Sequence, residues 1–297
     1  MSMDFKNTYR WDVRPQLPQR PEWFKAWPNG SNIAFQIMIL HEWETMPWHR
    51  SRPMPPNSHF KFDFMSLGAR EYGARHGIYR LMDVVERHGM KATIMTNGLT
   101  AELFPDSVRA SAHRGHEVVA HQWDQAVFPP MFRSQEEELE TLRKTKEILA
   151  RVSRQAVDGY MSPGPRPTAH TLELLAELGF RWTCDYVDSD FPYFIPVGGK
   201  RLLAVPYATP GCIDFDLLPY ALPARLEHIK YMFDATCNEA QQHPMMFSYA
   251  VHTHWGGTTG MAQVLDDFLV YVSGKHKDAW NPLGSDVVRF WEMAHPG

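Results

Sequence analysis

The strongest constraint on this chain is a regular alternation of two kinds of segment. Short apolar runs, as in "SNIAFQIMIL" (31–40), "KATIMTN" (91–97), "HEVVAH" (116–121), "VDGYMSP" (157–163), "RWTCDY" (181–186), "RLLAVPY" (201–207) and "PMMFSYAVH" (244–252), have the length and residue types of buried strands. Between them lie stretches with helical spacing. "GIYRLMDVVERHG" (77–89) places Ile78, Leu81, Met82 and Val85 on one face and stops at Gly89. "SQEEELETLRKTKEILARVS" (134–153) has a capping Ser134, acids in its first turn and bases toward its end. "SVRASAHRG" (107–115), "TAHTLELLAELGF" (168–180), "LEHIKYMFDATCNEAQQ" (226–242), "GMAQVLDDFLVYVSG" (260–274) and "GSDVVRFWEM" (284–293) read likewise. About seven alternations with no internal repeat or linker predict one parallel α/β barrel over residues 31–297. The polar, aromatic and Pro-containing residues 1–30 read as an extended arm packed on it.

In such a barrel chemistry collects where strands end. The residues there are His41, Glu42 and Glu44, then Asn97, His121 and Asp124, Ser162 and Arg166, Asp185 and Asp190, Tyr207, and finally His252 and His254. A single strand-end carboxylate commonly caps a helix, and a single histidine commonly makes a structural hydrogen bond. Polar groups at the end of every strand, on one rim, point to a catalytic pocket.

Bulk properties narrow the class. A net charge of −4 without a basic stripe argues against a nucleic-acid partner. Three cysteines, Cys184, Cys212 and Cys237, form neither a disulfide framework nor a zinc pattern, so a reduced, cytoplasmic chain is expected. The first residues lack the apolar core of a signal peptide, and no run of about 18 apolar residues could span a membrane.

The order of motifs resembles the polysaccharide-deacetylase superfamily, and within it the metal-independent branch of allantoinases and cyclic imide hydrolases. The stretches that carry this are "REYGARHGIYRLMDVVERHGMKAT" (70–93), "RGHEVVAHQW" (114–123), "SPGPRPTAHTLELLAELGF" (162–180), "DYVDSDFPY" (185–193), "VPY" (205–207) and "VHTHWGG" (251–257). The resemblance covers roughly residues 30 to 295 and implies a distorted (β/α)7 barrel. It also implies the metal answer. Metal-dependent members end the first strand with two aspartates and carry two histidines four residues apart. Here the equivalent positions are Met38 and Ile39 or Leu40, and the second histidine is Gln125, so His121 alone remains. One imidazole holds a divalent ion weakly. No cofactor is therefore expected. A relocated zinc site on His121, His41 and Glu44 is the alternative.

The branch hydrolyses a cyclic amide or imide C–N bond, which needs a base for water, a donor for the oxyanion and an acid for the leaving nitrogen. The resemblance implies Glu42 as base, His252 as acid and His121 as a polarising or proton-carrying group, and Asp185, a further catalytic candidate, is a natural partner for Arg166 or a histidine. The bland reading of Glu42 is an ion pair with Arg50 or Arg52. Glu71 and Arg166 match branch positions and are candidate substrate contacts. An ion pair of Glu71 with Arg70 or Arg75 is the competing reading. Trp43 and Trp123, beside Glu42 and His121, are candidates to stack on a flat ring, or plain packing residues. Tyr207 completes the expected wall. The loop "HEWETMPWHRSRPM" and the extra prolines of "SPGPRP" depart from allantoinase, so another ureide, imide or lactam is the expected small-molecule substrate. Two further readings stand beside this one, a metal-dependent carbohydrate N-deacetylase and a non-catalytic pocket-binding homologue. The branch also implies a homo-oligomer, a tetramer or dimer.

Overall fold

The computed structural model describes residues 20–45 and 64–294. Residues 1–19 of the predicted arm and most of the Pro-rich segment after the first strand, with Trp48, Arg50 and Arg52, lie outside them.

An eight-stranded sheet curls around a packed interior, and its order places the first strand near one edge. In chain order the strands are β1 (Ile33–His41), β2 (Thr93–Thr96), β3 (Glu117–Ala120), β4 (Gly159–Tyr160), β5 (Trp182–Thr183), β6 (Tyr193–Val197), β7 (Lys200–Ala204) and β8 (Met245–His252). Their lateral order is β6-β7-β5-β4-β3-β2-β1-β8. Every neighbouring pair is parallel except β6 with β7. This is the expected distorted barrel, open as a half-barrel. The β6–β7 hairpin was not expected from "DSDFPY". It turns at Gly198 and Gly199, both at positive φ, where a side chain would be strained.

The alternation of side chains along β1 explains how the barrel is filled. Phe35, Ile37 and Ile39 face outward, into a core shared with the helices. Ala34, Met38 and Leu40 face inward, against Met95, Met161, Met246, Trp182 and Tyr207. Helices α1 (Phe64–Tyr72), α2 (Ile78–Arg87), α3 (Gly98–Leu103), α4 (Pro105–His113), α5 (Gln135–Ser153), α6 (Thr171–Glu177), α7 (Leu222–Glu239), α8 (Thr259–Lys275) and α9 (Gly284–Ala294) cover the outside and the base. Ser134 caps α5 as the sequence predicts, its side chain accepting from the Glu137 N–H.

Two features were not legible in the sequence. The helix expected over 77–89 is α2, but a further helix, α1, begins at Phe64 ahead of it, and a π-helical turn, Gly73–Gly77, joins the two. That turn lies against the loop after β8 so closely that a Cβ on Gly77 would meet the Thr253 carbonyl oxygen at 1.9 Å. The described end of the arm is also more than an extended strap. Phe24, Trp27, Phe290 and Trp291 make an aromatic cluster against the base of the barrel, and Trp27 donates to the Met245 carbonyl at 2.8 Å.

Candidate active site

The strand-end polar residues divide into two groups. One group ties loops together. Asn97 accepts from the Trp43 N–H at 2.9 Å and donates to the His121 carbonyl. Asp124 accepts from Thr45 and Ala126, joining the loops after β1 and β3. Asp185 accepts from the Ser162 N–H at 2.6 Å and hydroxyl at 2.8 Å, and the same hydroxyl accepts from the Arg166 N–H at 2.7 Å. Asp185 thus shapes the 162–166 wall from behind. Its second oxygen has no partner, and burial pushes its pKa up to about 6.

The second group converges on a cavity of about 340 Å³ at the C-terminal rim. Glu42, Glu44, Arg70, His121, Tyr207 and His252 form its polar floor, and Arg166 lies on its wall. Strand parity selects them. His41 is the last residue of β1 and turns outward, where its Nε2 meets the Ser107 hydroxyl at 2.7 Å. Burial takes its pKa down to about 3. Glu42, one residue on, turns inward. The Gln122 backbone follows His121 at φ 56, a left-handed position uncommon for a residue with a side chain.

Glu42 is the hub. Its Oε1 lies 3.3 Å from His121 Nε2 and 3.8 Å from His252 Nε2, and its Oε2 accepts from Arg70 at 3.2 Å. Burial pushes the Glu42 carboxyl up. The charge of His252, the His121 hydrogen bond and Arg70 outweigh that and hold it below the usual carboxylate range. His121 Nδ1 lies 2.8 Å from the Met161 carbonyl, an acceptor only, so Nδ1 carries a hydrogen and Nε2 is left to face Glu42.

His252 is oriented from behind by a carboxylate that sequence reasoning missed. Asp214 is fully buried and accepts from His252 Nδ1 at 2.6 Å, from the His252 N–H at 2.7 Å and from the Gly256 N–H at 2.9 Å. Burial lowers the His252 pKa, but Asp214 and then Glu42 outweigh it, and the net shift is upward. Asp214 stands at no strand end. It reaches the site because the 212–214 segment bridges to the outer edge of β8, Ile213 pairing with Ala250. Nothing local in "CIDFDLL" announces that pairing.

The other expected contacts fall elsewhere. Glu71 points off α1 to Arg75, 3.6 Å away, and both are largely exposed. Its neighbour Arg70, about 100° round the helix, points into the cavity instead, so the partner of Glu42 is Arg70. Trp43 is buried against Phe104, and Trp123 lies under the Lys144 ammonium against Gly98, so neither lines the cavity. The aromatic lining comes from Phe128, Phe215 and Trp255, the last two stacked at 5.4 Å. Arg166 lies over the Phe128 ring, 5.1 Å from its centroid.

A catalytic metal held by strand-end aspartate and paired histidines does not fit these residues. The apolar Leu40 lines the cavity where the first strand ends. Gln125 sits beside Asn97, its Oε1 3.5 Å from Nδ2. The alternative set of His121, His41 and Glu44 does not converge, since His41 faces Ser107 and Glu44 accepts from Arg70 at 2.6 Å. Among the described residues no three His, Cys, Asp or Glu side chains are placed to hold an ion.

Comparison with known proteins agrees with this architecture. A family model described as polysaccharide deacetylase matches residues 62–183. The chain is 23% identical to a structure described as the Puue allantoinase, with a TM-score of 0.81, covering 94% of this chain and 96% of that one. It is also 23% identical to a probable polysaccharide deacetylase from Pseudomonas aeruginosa PAO1, with a TM-score of 0.79, covering 91% and 94%. A peptidoglycan deacetylase of Helicobacter pylori is 31% identical over 123 residues, a match spanning 41% of each chain. A putative polysaccharide deacetylase of Schizosaccharomyces pombe is 23% identical over 91% of this chain and 93% of its own. The fold is the polysaccharide-deacetylase type of distorted barrel, and the family model and neighbours support that superfamily. Among the described residues no helix is long and apolar enough to cross a membrane.

Proposed function

We propose that this protein hydrolyses the C–N bond of a small cyclic amide, such as an imide, ureide or lactam, without a metal ion. The observation that carries this is the meeting of Glu42 Oε1 with the Nε2 atoms of both His121 and His252, with Asp214 behind His252. The supporting comparisons point to a hydrolase acting on C–N bonds, since deacetylases and an allantoinase are the relatives.

The chemistry runs on protons. Glu42 takes a proton as water attacks the carbonyl carbon, with the lone pair of His121 Nε2 beside it to accept a hydrogen bond from the protonated carboxyl, and the Tyr207 hydroxyl on the same cavity supplies the O–H that meets the oxyanion. His252, its Nδ1–H held by Asp214, passes the Nε2 proton to the leaving nitrogen as the C–N bond breaks. Glu42 is a weak base while His252 is charged beside it. Once His252 gives up its proton, the largest influence holding the Glu42 carboxyl down is gone, and the proton returns from Glu42 to His252 across 3.8 Å. Imide nitrogens leave more readily than simple amide nitrogens, so less electrophilic help is required. A cavity of about 340 Å³ with an aromatic wall suits a small flat ring, and Arg166 can fork onto its outer carbonyl or carboxylate.

The second reading, N-deacetylation of a carbohydrate, is favoured by the family model and the deacetylase relatives. One screen separates them. Purified protein is given cyclic imides, ureides and lactams on one side and N-acetylated sugar oligomers on the other, with and without chelator. Ring opening that survives chelator, and falls about 100-fold or more in Glu42→Gln, is the expected result. Deacetylation that requires added zinc would overturn the proposal.

A further inference from the structure

Arg70 is buried, with 4% of its side chain exposed, and pairs with both the Glu42 and the Glu44 carboxylates. Its Nε donates to Glu44 Oε1 at 2.9 Å and its NH2 to the same oxygen at 2.6 Å. Its NH1 donates to Glu42 Oε2 at 3.2 Å and reaches the His254 ring at 2.9 Å. The guanidinium therefore engages two carboxylates and one imidazole at once. His254 is held neutral there by burial first, and by the charges of Arg70 and His252 second.

The backbone is built to deliver this side chain. Arg70 sits in the last turn of α1, and the π-helical turn that follows is locked onto the loop carrying His254. A Cβ on Gly73 would meet the His254 N at 2.9 Å, and one on Gly77 would strike the Thr253 carbonyl. Only a close glycine contact on both sides lets α1 approach β8 so nearly, and π turns of this kind are frequent at functional sites.

We propose that Arg70 is the resident cation of this site, a fixed guanidinium that holds the Glu42 and Glu44 carboxylates a divalent metal ion would otherwise take. A metal site needs convergent lone pairs that are free to bind. Here both oxygens of Glu42 and one of Glu44 are committed, and a doubly charged ion among them would lie beside a cation that cannot discharge. With Arg70 in place no three His, Cys, Asp or Glu side chains converge on one point among the described residues, and the donors drawn onto its guanidinium are those of Glu42, Glu44 and His254. This deepens the metal-free half of the reading above and does not depend on the substrate.

The test is zinc binding, measured by competition with a chromogenic chelator on wild type, Arg70→Met, Arg70→Lys and the double variant Arg70→Met/Glu42→Gln. The methionine variant, neutral and of similar length, is expected to bind Zn²⁺ at least about 100-fold more tightly than wild type. The lysine variant keeps the charge and stays within about threefold of wild type, and the double variant loses the gain. Equal zinc affinity in wild type and a folded Arg70→Met protein would overturn the proposal, as would a gain that survives Glu42→Gln. Wild type alone can refute it, by binding one zinc ion tightly and losing it in Glu42→Gln, whether or not the methionine variant folds. Failure of the cyclic-amide screen leaves these zinc affinities unchanged, so the two readings fail separately.

Discussion

Glu117 offers a test of the fold in which two known effects oppose each other. It begins β3 at the base of the barrel, far from the rim, and is almost fully buried. Its carboxylate accepts from the Ser285 N–H at 3.1 Å, in the first turn of α9, and from the Thr93 hydroxyl at 3.3 Å. A helix N-terminus favours an anion. Desolvation disfavours one and is the larger effect here, so the pKa rises from 4.5 to about 7 despite the donors. The sign follows directly. Between pH 4.5 and 7 the folded state holds a proton that the unfolded state has lost, so stability falls as pH rises through that window. The carboxyl titrates about 2.5 pH units late, which at about 1.36 kcal/mol per unit is on the order of 3 kcal/mol lost by pH 8. Glu117→Gln keeps the size and the acceptor oxygen and removes the ionisation. Urea unfolding of both proteins at pH 5.5 and pH 8 measures the difference. The variant's stability relative to wild type should improve by roughly 2–3 kcal/mol between the two pH values. A difference that does not change with pH, or that moves the other way, would show that the helix terminus wins and that the desolvation argument is wrong.

Two further outcomes test the site's supports. Asp214→Asn should cost about 2–4 kcal/mol, because two N–H donors and the His252 Nδ1–H lose an anionic acceptor. The His252 ring signal in NMR should then titrate at lower pH. The stability that the Asp214–His252 pair adds in wild type is present at low pH and lost as pH rises through the raised His252 pKa, so the variant's pH profile should be flatter. An unmoved His252 titration would remove Asp214 from the scheme. Gly77→Ala should destabilise by on the order of 3 kcal/mol or more, since its Cβ meets backbone at 1.9 Å and no rotamer can relieve it. A melting temperature within about 1 °C of wild type would mean that the π-helical turn is not locked as described.

The sequence by itself determined the architecture. Period-2 and period-3.6 apolar patterns are local, and the strand–helix alternation they spell leaves few ways to bury both faces of a sheet. The sequence also placed Glu42, His121, Arg166, Tyr207 and His252 at strand ends, and the fold gathers those five around one cavity. It did not determine which neighbour of a pair turns inward. His41 and Glu42 differ by one residue, and only the register of β1 against β2 and β8 sends one to Ser107 and the other to the histidines. In the same way Arg70, not Glu71, enters the site, because the π-helical turn sets the rotation of α1. Asp214 was invisible because its role comes from a bridge between residues 37 positions apart, Ile213 with Ala250. Local patterns report what a few consecutive residues prefer; side-chain direction at the site is decided by contacts between residues distant in sequence, which only the folded chain brings together.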